Sequence, residues 1–327
     1  MRTSTPSMLA PDVSTTARLE DLGSTGYVVV RSFLTDAEIA RFEADYAAAA
    51  ARGDTSYEVR QVSDEARSVI DDKLAAMARA VEAASSVRVN LVASGVFGSA
   101  YFTTEGEVGT AWHQDAVSYF AYQNHHDYLN FYMPIIKPVR EKSNLRLIPF
   151  DAFAARSPEL ASRLRGRGAT RFAVKDGVTT VHDNNAGGIH GVLPYALDDL
   201  SVTPQLDRGD LLLIRGDVIH RTEDKDTRRV AVSIRMMNRQ TRVRRAELVR
   251  GGFLKAMVMT HGRRDFKPLF DCFAAAGKDE LTIGEMAELD ARRARPARPT
   301  SHVSFMAFLM WNRMRERLAP RSKGVRR

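Results

Sequence analysis

Cysteine is almost missing from this chain: 327 residues contain one, Cys272. A single thiol closes no internal disulfide, and it excludes zinc or iron–sulfur centres built from clustered thiolates. A metal here would have to be held by His, Asp or Glu. Long apolar runs are missing too, so nothing approaches the ~20 residues a membrane-spanning helix needs. The opening "MRTSTPSMLAPDVSTTARL" lacks the plan of a secretory signal, and residues 1–18 read as a flexible arm. Both absences point to a cytoplasmic protein. Acidic residues are in deficit, with a net charge of +8, but the excess is local. From Arg292 onward ten Arg and Lys323 face one acid, Glu316; that tail carries +10, and the other 291 residues sum to −2. The nearly neutral body offers no basic groove for nucleic acid.

What is present is a β-rich centre between helical flanks. "GYVVVRSFLTDAEIARF" reads as a strand over 27–31 and then a helix, with Thr35 as N-cap and Glu38 completing a capping box. In "SDEARSVIDDKLAAMARAVEAAS" Ser63 caps a second helix, with Val69, Ile70, Leu74, Met77 and Val81 at helical spacing. From about 87 to 238, β-branched and aromatic runs such as "YLNFYMPII", "NLRLIPF", "DLLLI" and "RVAVSIRM" alternate with turn residues. That pattern describes a β-sandwich or barrel. Beyond 246 the chain is helical again. The divisions are an arm (1–18), a β-core domain with N-terminal helices (19–245) and a helical extension ending in the basic tail (246–327). The last helix, with Phe305, Phe308, Leu309 and Trp311, offers an apolar face to the core or to a second copy of the chain.

"TAWHQDAVSY" sets His113 and Asp115 two positions apart, and on a strand such residues share a face. An imidazole beside a carboxylate is two-thirds of a 2-His-1-carboxylate triad, which leaves positions open on Fe(II). A second His must then come from elsewhere. His220 follows the apolar strand "DLLLI" and the turn Gly216-Asp217, and Arg229 opens the next strand. His182 and His190 compete for the distal position but lie in a Gly- and Asn-rich stretch that reads as a long loop. A second His-x-Asp, in His125-His126-Asp127, reads as a turn or pocket rim. His261 and His302 read as surface residues, while Phe102, Trp112, Tyr119 and Phe120 are expected to fill core.

In that order, "GYVVVRSFLTDAEI", "HQD", "NLRLIP", "GDLLLI", His220 and the Arg leading into "VAVSIR" resemble the phytanoyl-CoA-dioxygenase-like branch of Fe(II)/2-oxoglutarate-dependent oxygenases. The resemblance implies a double-stranded β-helix, or jelly roll. It implies iron on His113, Asp115 and His220, and 2-oxoglutarate as co-substrate with its far carboxylate on Arg229, assisted by Ser233. Arg228 and Arg235 stand as alternatives to Arg229, because the loop before it is short and "IPFDAF" replaces the Gly-Ser-His often found there. A hydrolytic zinc site has no use for such an anion anchor. The carboxylate at position 115 points away from halogenation, in which a small residue replaces it. The implied reaction consumes O2, releases succinate and CO2, and most simply hydroxylates a C–H bond of a small-molecule metabolite in specialised biosynthesis. The substrate pocket is expected to draw on 119–126 and 175–195. The rivals are a non-catalytic jelly-roll binding protein and an oxygenase acting on a macromolecule.

Overall fold

The computed structural model describes most of residues 18–292 and single residues between 307 and 314; the remainder of the termini and short stretches near 53–58, 94–99, 105–110, 224–226 and 252–265 fall outside the description. His261, His302 and most of the last helix therefore lie outside the described residues.

β1 (Tyr27–Val30) leads into α1 (Asp36–Arg52). The capping box is formed: Glu38 N–H donates to Thr35 Oγ1 at 3.3 Å, and Thr35 N–H to the Glu38 carboxylate at 2.7 Å. After a small hairpin, β2 (Thr55–Ser56) and β3 (Val59–Arg60), Ser63 accepts from Ala66 N–H to start α2 (Asp64–Ser68). Here one expected helix is two. The chain breaks at the β-branched pair Val69-Ile70, and α3 (Asp71–Ala84) begins afresh with Asp71 and Asp72 in its first turn, where carboxylates suit the helix dipole. The break leaves Val69 43% exposed while Ile70, Leu74, Met77 and Val81 are buried.

The β-core follows: β4 (Leu91–Val92), β5 (Tyr101–Thr104), then α4 (Val117–Tyr122) before β6 (Tyr128–Ile136) and β7 (Leu145–Ile148). Two short helices, α5 (Phe150–Arg156) and α6 (Pro158–Leu164), precede β8 (Thr170–Lys175), β9 (Val178–Asp183) and β10 (Ile189–Leu193). β11 (Leu211–Arg215), β12 (Ile219–Thr222) and β13 (Val230–Met237) complete it. The larger sheet runs β1-β11-β6-β13-β4, with β5 also on β13. The opposing layer consists of β10-β9-β8 and β12-β7, joined through His113, whose backbone bridges Arg171 of β8 and His220 of β12.

Register decides which side chains look inward. Tyr132 pairs with Ser233 and Leu212, Asn130 with Arg235, and Ser233 with Tyr101, so these side chains share one face. On that face Tyr132, Leu212, Ile214 and Ala231 pack against Leu145 and Leu147 of the opposing layer. On the other face Leu129, Phe131, Leu213, Val232 and Ile234 pack on the helices through Phe42, Leu74 and Val81. Strands buried on both faces read as unbroken apolar runs, which is why "DLLLI" and "VAVSI" carry no alternation. The result is a jelly roll, mainly β with flanking helices.

One expectation is overturned. The stretch 175–195 is not a long loop but the hairpin β9–β10, with His182 on one strand and His190 on the other. Val178, Thr179, Thr180 and Val181 supply the β-branched run, and the Asn- and Gly-rich residues 184–188 are merely its turn. Past the barrel, β14 (Arg242–Arg244) leads into α7 (Arg245–Val249), then α8 (Lys267–Ala276), β15 (Glu280–Thr282) and α9 (Ile283–Ala291). β14 pairs with β15, and Leu269, Phe270, Phe273 and Met286 share a core with Phe120, Tyr122 and Tyr128.

Candidate metal centre

His113 and His220 exchange backbone hydrogen bonds, His113 N–H to His220 O at 3.1 Å and His220 N–H to His113 O at 2.9 Å. Such a mutually bonded pair sits directly opposite across two strands, and the ring centroids lie 4.5 Å apart. Each Nδ1 lies against the carbonyl two residues earlier: His113 on Ala111 at 2.9 Å, His220 on Val218 at 3.0 Å. A ring that donates from Nδ1 keeps its Nε2 lone pair free, the state a metal ligand requires. Both Nε2 atoms face Asp115 Oδ1, at 3.8 Å and 3.7 Å. One donor atom from each of the three residues lies within 4.8 Å of the others. Ligands on neighbouring positions of a metal bound at ~2.1 Å sit about 3 Å apart, so a small contraction closes this set on one cation. The donor chemistry, two imidazoles and one carboxylate with no thiolate, fits Fe(II). The three side chains are 29%, 25% and 15% exposed for His113, Asp115 and His220, which leaves one side open to solvent.

Between the two inward residues, Gln114 points the other way. It is buried, and its side-chain amide donates to Asp217 O at 2.6 Å. Asp217 in turn accepts from Arg215 at 3.0 Å and 2.7 Å and from Gly166 N–H at 2.6 Å. The ion pair fixes the turn before His220, and the Gln114 amide ties that turn to the segment carrying His113. Burial pushes the Asp115 carboxyl up, but His220, Arg235, His113 and His125 together override it and hold it at about 2. Burial and the neighbouring His220 lower the His113 pKa, so its imidazole stays neutral and available.

The stretch 125–127 is a turn, as expected, but His125 within it lies inside the wall rather than at the surface. It is fully buried, stacked on Tyr128 at 4.9 Å and edge-on to Tyr119 at 5.1 Å, with Nε2 3.1 Å from Ser118 Oγ. Its aromatic neighbours made it part of the wall, while His126 faces outward and pairs with Asp127 at 3.1 Å. Burial lowers the His125 pKa to about 4. Unfolding between the ordinary value near 6.5 and pH 4 therefore takes up a proton. The stability this neutral residue contributes is complete above about pH 6.5 and declines by about 3 kcal/mol as pH falls through 4. In urea titrations His125→Gln will flatten that acid limb; an unchanged limb would mean the residue does not titrate in this way.

Gly168 explains how closely the wall approaches the triad. A Cβ there would lie 2.5 Å from His125 Nδ1 and 2.7 Å from Asp115 O. Neither the packed ring nor the Asp115 backbone, held by Ala169 N–H at 2.9 Å, has room to yield. Overpacking of this kind costs about 1–3 kcal/mol, so Gly168→Ala should melt about 2–8 °C lower and bind Fe(II) more weakly. An unaltered melting curve would refute the packing argument.

The inward face of β13 carries Ser233 and Arg235, and buried Arg229 stands one residue before the strand begins. Arg229 is 1% exposed, and its Nη1 donates to Thr103 Oγ1 at 3.2 Å and to the Tyr132 hydroxyl. Its Nε and Nη2 are buried without an acceptor. A guanidinium held by one edge with donors to spare is a fork waiting for a carboxylate, which satisfies the fit to 2-oxoglutarate. Ser233 donates to Asn130 Oδ1 at 2.7 Å. Of the two alternatives, Arg228 is exposed and Arg235 is inward. Phe102, Trp112 and Phe120 are core, as expected, and Tyr119 is half-buried. Sequence reasoning missed Thr103, Asn130 and Tyr132. For Asn130 and Tyr132 the signal was present as polar residues at alternate positions in the otherwise apolar "YLNFYMPII".

A jelly roll with this donor set belongs to the class of Fe(II)/2-oxoglutarate-dependent oxygenases. Within that class the chain belongs to the phytanoyl-CoA dioxygenase (PhyH) family, whose model matches residues 23–231, a span that includes His113, Asp115, His220 and Arg229. No curated protein matches the sequence significantly. Similar solved structures include EctD from S. alaskensis in its apoform, 13% identical over 77% of this chain and 86% of that one, with a TM-score of 0.46. Another is the carbocyclase SnoK from nogalamycin biosynthesis, at 14%, 68%, 84% and 0.44. HygX from Streptomyces hygroscopicus, with nickel and 2-oxoglutarate bound, gives 16%, 68%, 86% and 0.39.

Proposed function

We propose that this enzyme hydroxylates a C–H bond of a small metabolite, with His113, Asp115 and His220 holding Fe(II) and Arg229 holding the far carboxylate of 2-oxoglutarate. The observation that carries this reading is the approach of both histidine Nε2 atoms to the Asp115 carboxylate, with each Nδ1 turned to a backbone carbonyl. When bound, iron and 2-oxoglutarate supply the oxidising power, the co-substrate being decarboxylated to succinate as O2 is reduced. The chain's own residues do the placing. Three protein ligands leave metal positions open for co-substrate and O2. The backbone carbonyls of Ala111 and Val218 fix the imidazole tautomers and ring planes. Arg229, steadied by Tyr132 and Thr103, fixes the direction in which the co-substrate lies, and Ser233 lines the same wall.

The catalytic unit is residues 19–245, followed by the extension 246–327, whose described elements α7, α8 and α9 pack on the core, and the protein acts in the cytoplasm. Among the described residues no helix is long and apolar enough to cross a membrane. The substrate approaches past 119–126 and the β9–β10 hairpin. Met310 and Trp311, each 56% exposed, offer a surface for a second copy of the chain, which sedimentation with and without 301–327 tests.

The reading is tested by supplying Fe(II), 2-oxoglutarate and O2 with panels of small metabolites, following succinate and product mass. A substrate should release succinate in step with a product that gains one oxygen atom. A product that instead loses two hydrogens would replace hydroxylation by desaturation or ring closure.

A further inference from the structure

The proposed reaction uses one of two buried guanidinium groups at β13, Arg229 just before the strand. Arg235 is the other. It is 9% exposed, lies over the Tyr101 ring at 4.7 Å, and donates from Nη2 to the Tyr101 hydroxyl at 2.7 Å. Its Nε and Nη1 are buried and have no acceptor, and the Tyr128 hydroxyl is buried without a partner as well. Arginine keeps its charge in such a place, and each unmatched buried donor costs about 1–3 kcal/mol. Retaining the group there makes physical sense if something negative arrives.

The charges inside the barrel point the same way. A divalent iron and a dianionic co-substrate cancel. That leaves Arg229 and Arg235 against Asp115, a surplus of one positive charge in a low-dielectric space. Three other buried charges are matched internally: Arg215 pairs with Asp217 at 2.7 Å, and Asp210 with Arg31 at 2.5 Å. Lys255 donates to Asn185 and to the Glu247 carbonyl, at 2.8 Å and 2.7 Å. Arg235 also lies toward the end of the barrel that carries Asp115: it pairs with Asn130 while Tyr128 pairs with Met237 on the same inward face, and the Tyr128 ring stacks on His125, which flanks Gly168 together with the Asp115 carbonyl.

We propose that Arg235, with the Tyr101 and Tyr128 hydroxyls, receives an anionic group of the substrate, so that the enzyme's substrates are small acids bearing a carboxylate, sulfonate or phosphate. This rests on the proposed function, because it assigns iron and 2-oxoglutarate to the remaining groups. The near carboxylate of 2-oxoglutarate is the other candidate anion. Its charge is offset at the metal, whereas the surplus positive charge left by Arg229 and Arg235 against Asp115 is not.

The test uses the full chain saturated with Ni(II) and 2-oxoglutarate, which binds without turnover. The probes are matched pairs, benzoate with benzamide and phenylacetate with phenylacetamide, together with inorganic phosphate, read by ligand-observed NMR. The acids should bind about tenfold or more tightly than their amides. Arg235→Gln should abolish that preference, Arg235→Lys should keep part of it, and Tyr128→Phe should weaken it. The 2-oxoglutarate affinity of Arg235→Gln should stay within about threefold of wild type, which also shows that the variant folds. Equal binding of acids and amides, no binding of any acid, or a preference that survives Arg235→Gln would overturn the proposal. So would loss of 2-oxoglutarate binding in a folded Arg235→Gln protein, because Arg235 would then belong to the co-substrate site. Failure of the parent reading looks different: Arg229→Ala would keep its 2-oxoglutarate affinity, or His113→Ala its metal.

Discussion

His220→Ala will reduce 2-oxoglutarate turnover by about a hundredfold to several hundredfold while leaving the fold nearly as stable as before. Metal binding to a four-ligand protein site is worth about 10–16 kcal/mol, so one ligand contributes about 2.5–4 kcal/mol, and each 1.4 kcal/mol is a factor of ten. The strand pairing should survive, because the bonds between His113 and His220 are made by backbone atoms and an alanine keeps them. Added imidazole should restore part of the activity, since the lost group is a free-standing donor at an open site. Turnover within about tenfold of wild type would remove His220 from the metal sphere. The alternatives His182 and His190 make a weaker case: His190 is engaged with Asp183 at 3.5 Å, and both lie on the β9–β10 hairpin.

Arg229→Ala carries the second large effect. Removing one partner of a buried charge pair costs about 2–5 kcal/mol, which corresponds to 2-oxoglutarate binding weakened by roughly thirtyfold to several thousandfold. Iron affinity should be nearly unchanged, because none of the triad's hydrogen bonds involves this side chain. Arg229→Met provides a sharper contrast. Without co-substrate, Nε and Nη2 are buried donors with no acceptor. A methionine of similar reach relieves that penalty, so the apoprotein should melt at or above the wild-type temperature even as 2-oxoglutarate binding collapses. Tyr132→Phe removes one supporting hydroxyl and should weaken binding by only about tenfold. If Arg229→Met and wild type bind 2-oxoglutarate equally, the anchor is elsewhere.

Much of this was legible in the sequence because the physics is local. Thr35 and Glu38 sit three apart and form their box wherever a helix starts, and the apolar runs of β6, β11 and β13 announce strands buried on both faces. The spacing of His113 and Asp115 carries their common face with it. Other features depend on register and packing, which no short stretch contains. Whether Arg228, Arg229 or Arg235 faces inward follows from how β13 pairs with β5 and β6, including a register shift between Val230 and Ala231. The burial of His125 depends on Gly168 and Gly216, distant in sequence, pressing against its ring. The β9–β10 hairpin was hidden because its Asn- and Gly-rich turn is more conspicuous than its strands, whose outer residues Ile189 and Val192 are 62% and 59% exposed. The break at Val69 was hidden because Ile70 and Leu74 keep helical spacing across it.

The central claim is that side chains from two distant parts of the chain close on one iron with 2-oxoglutarate beside it. The most direct measurement adds Fe(II) and then 2-oxoglutarate to the protein without oxygen and records the visible spectrum. Wild type should develop the weak charge-transfer band of a chelated 2-oxo acid, and His113→Ala should develop none. A wild-type protein that stays colourless, or a His113→Ala variant with the same band, would contradict the account.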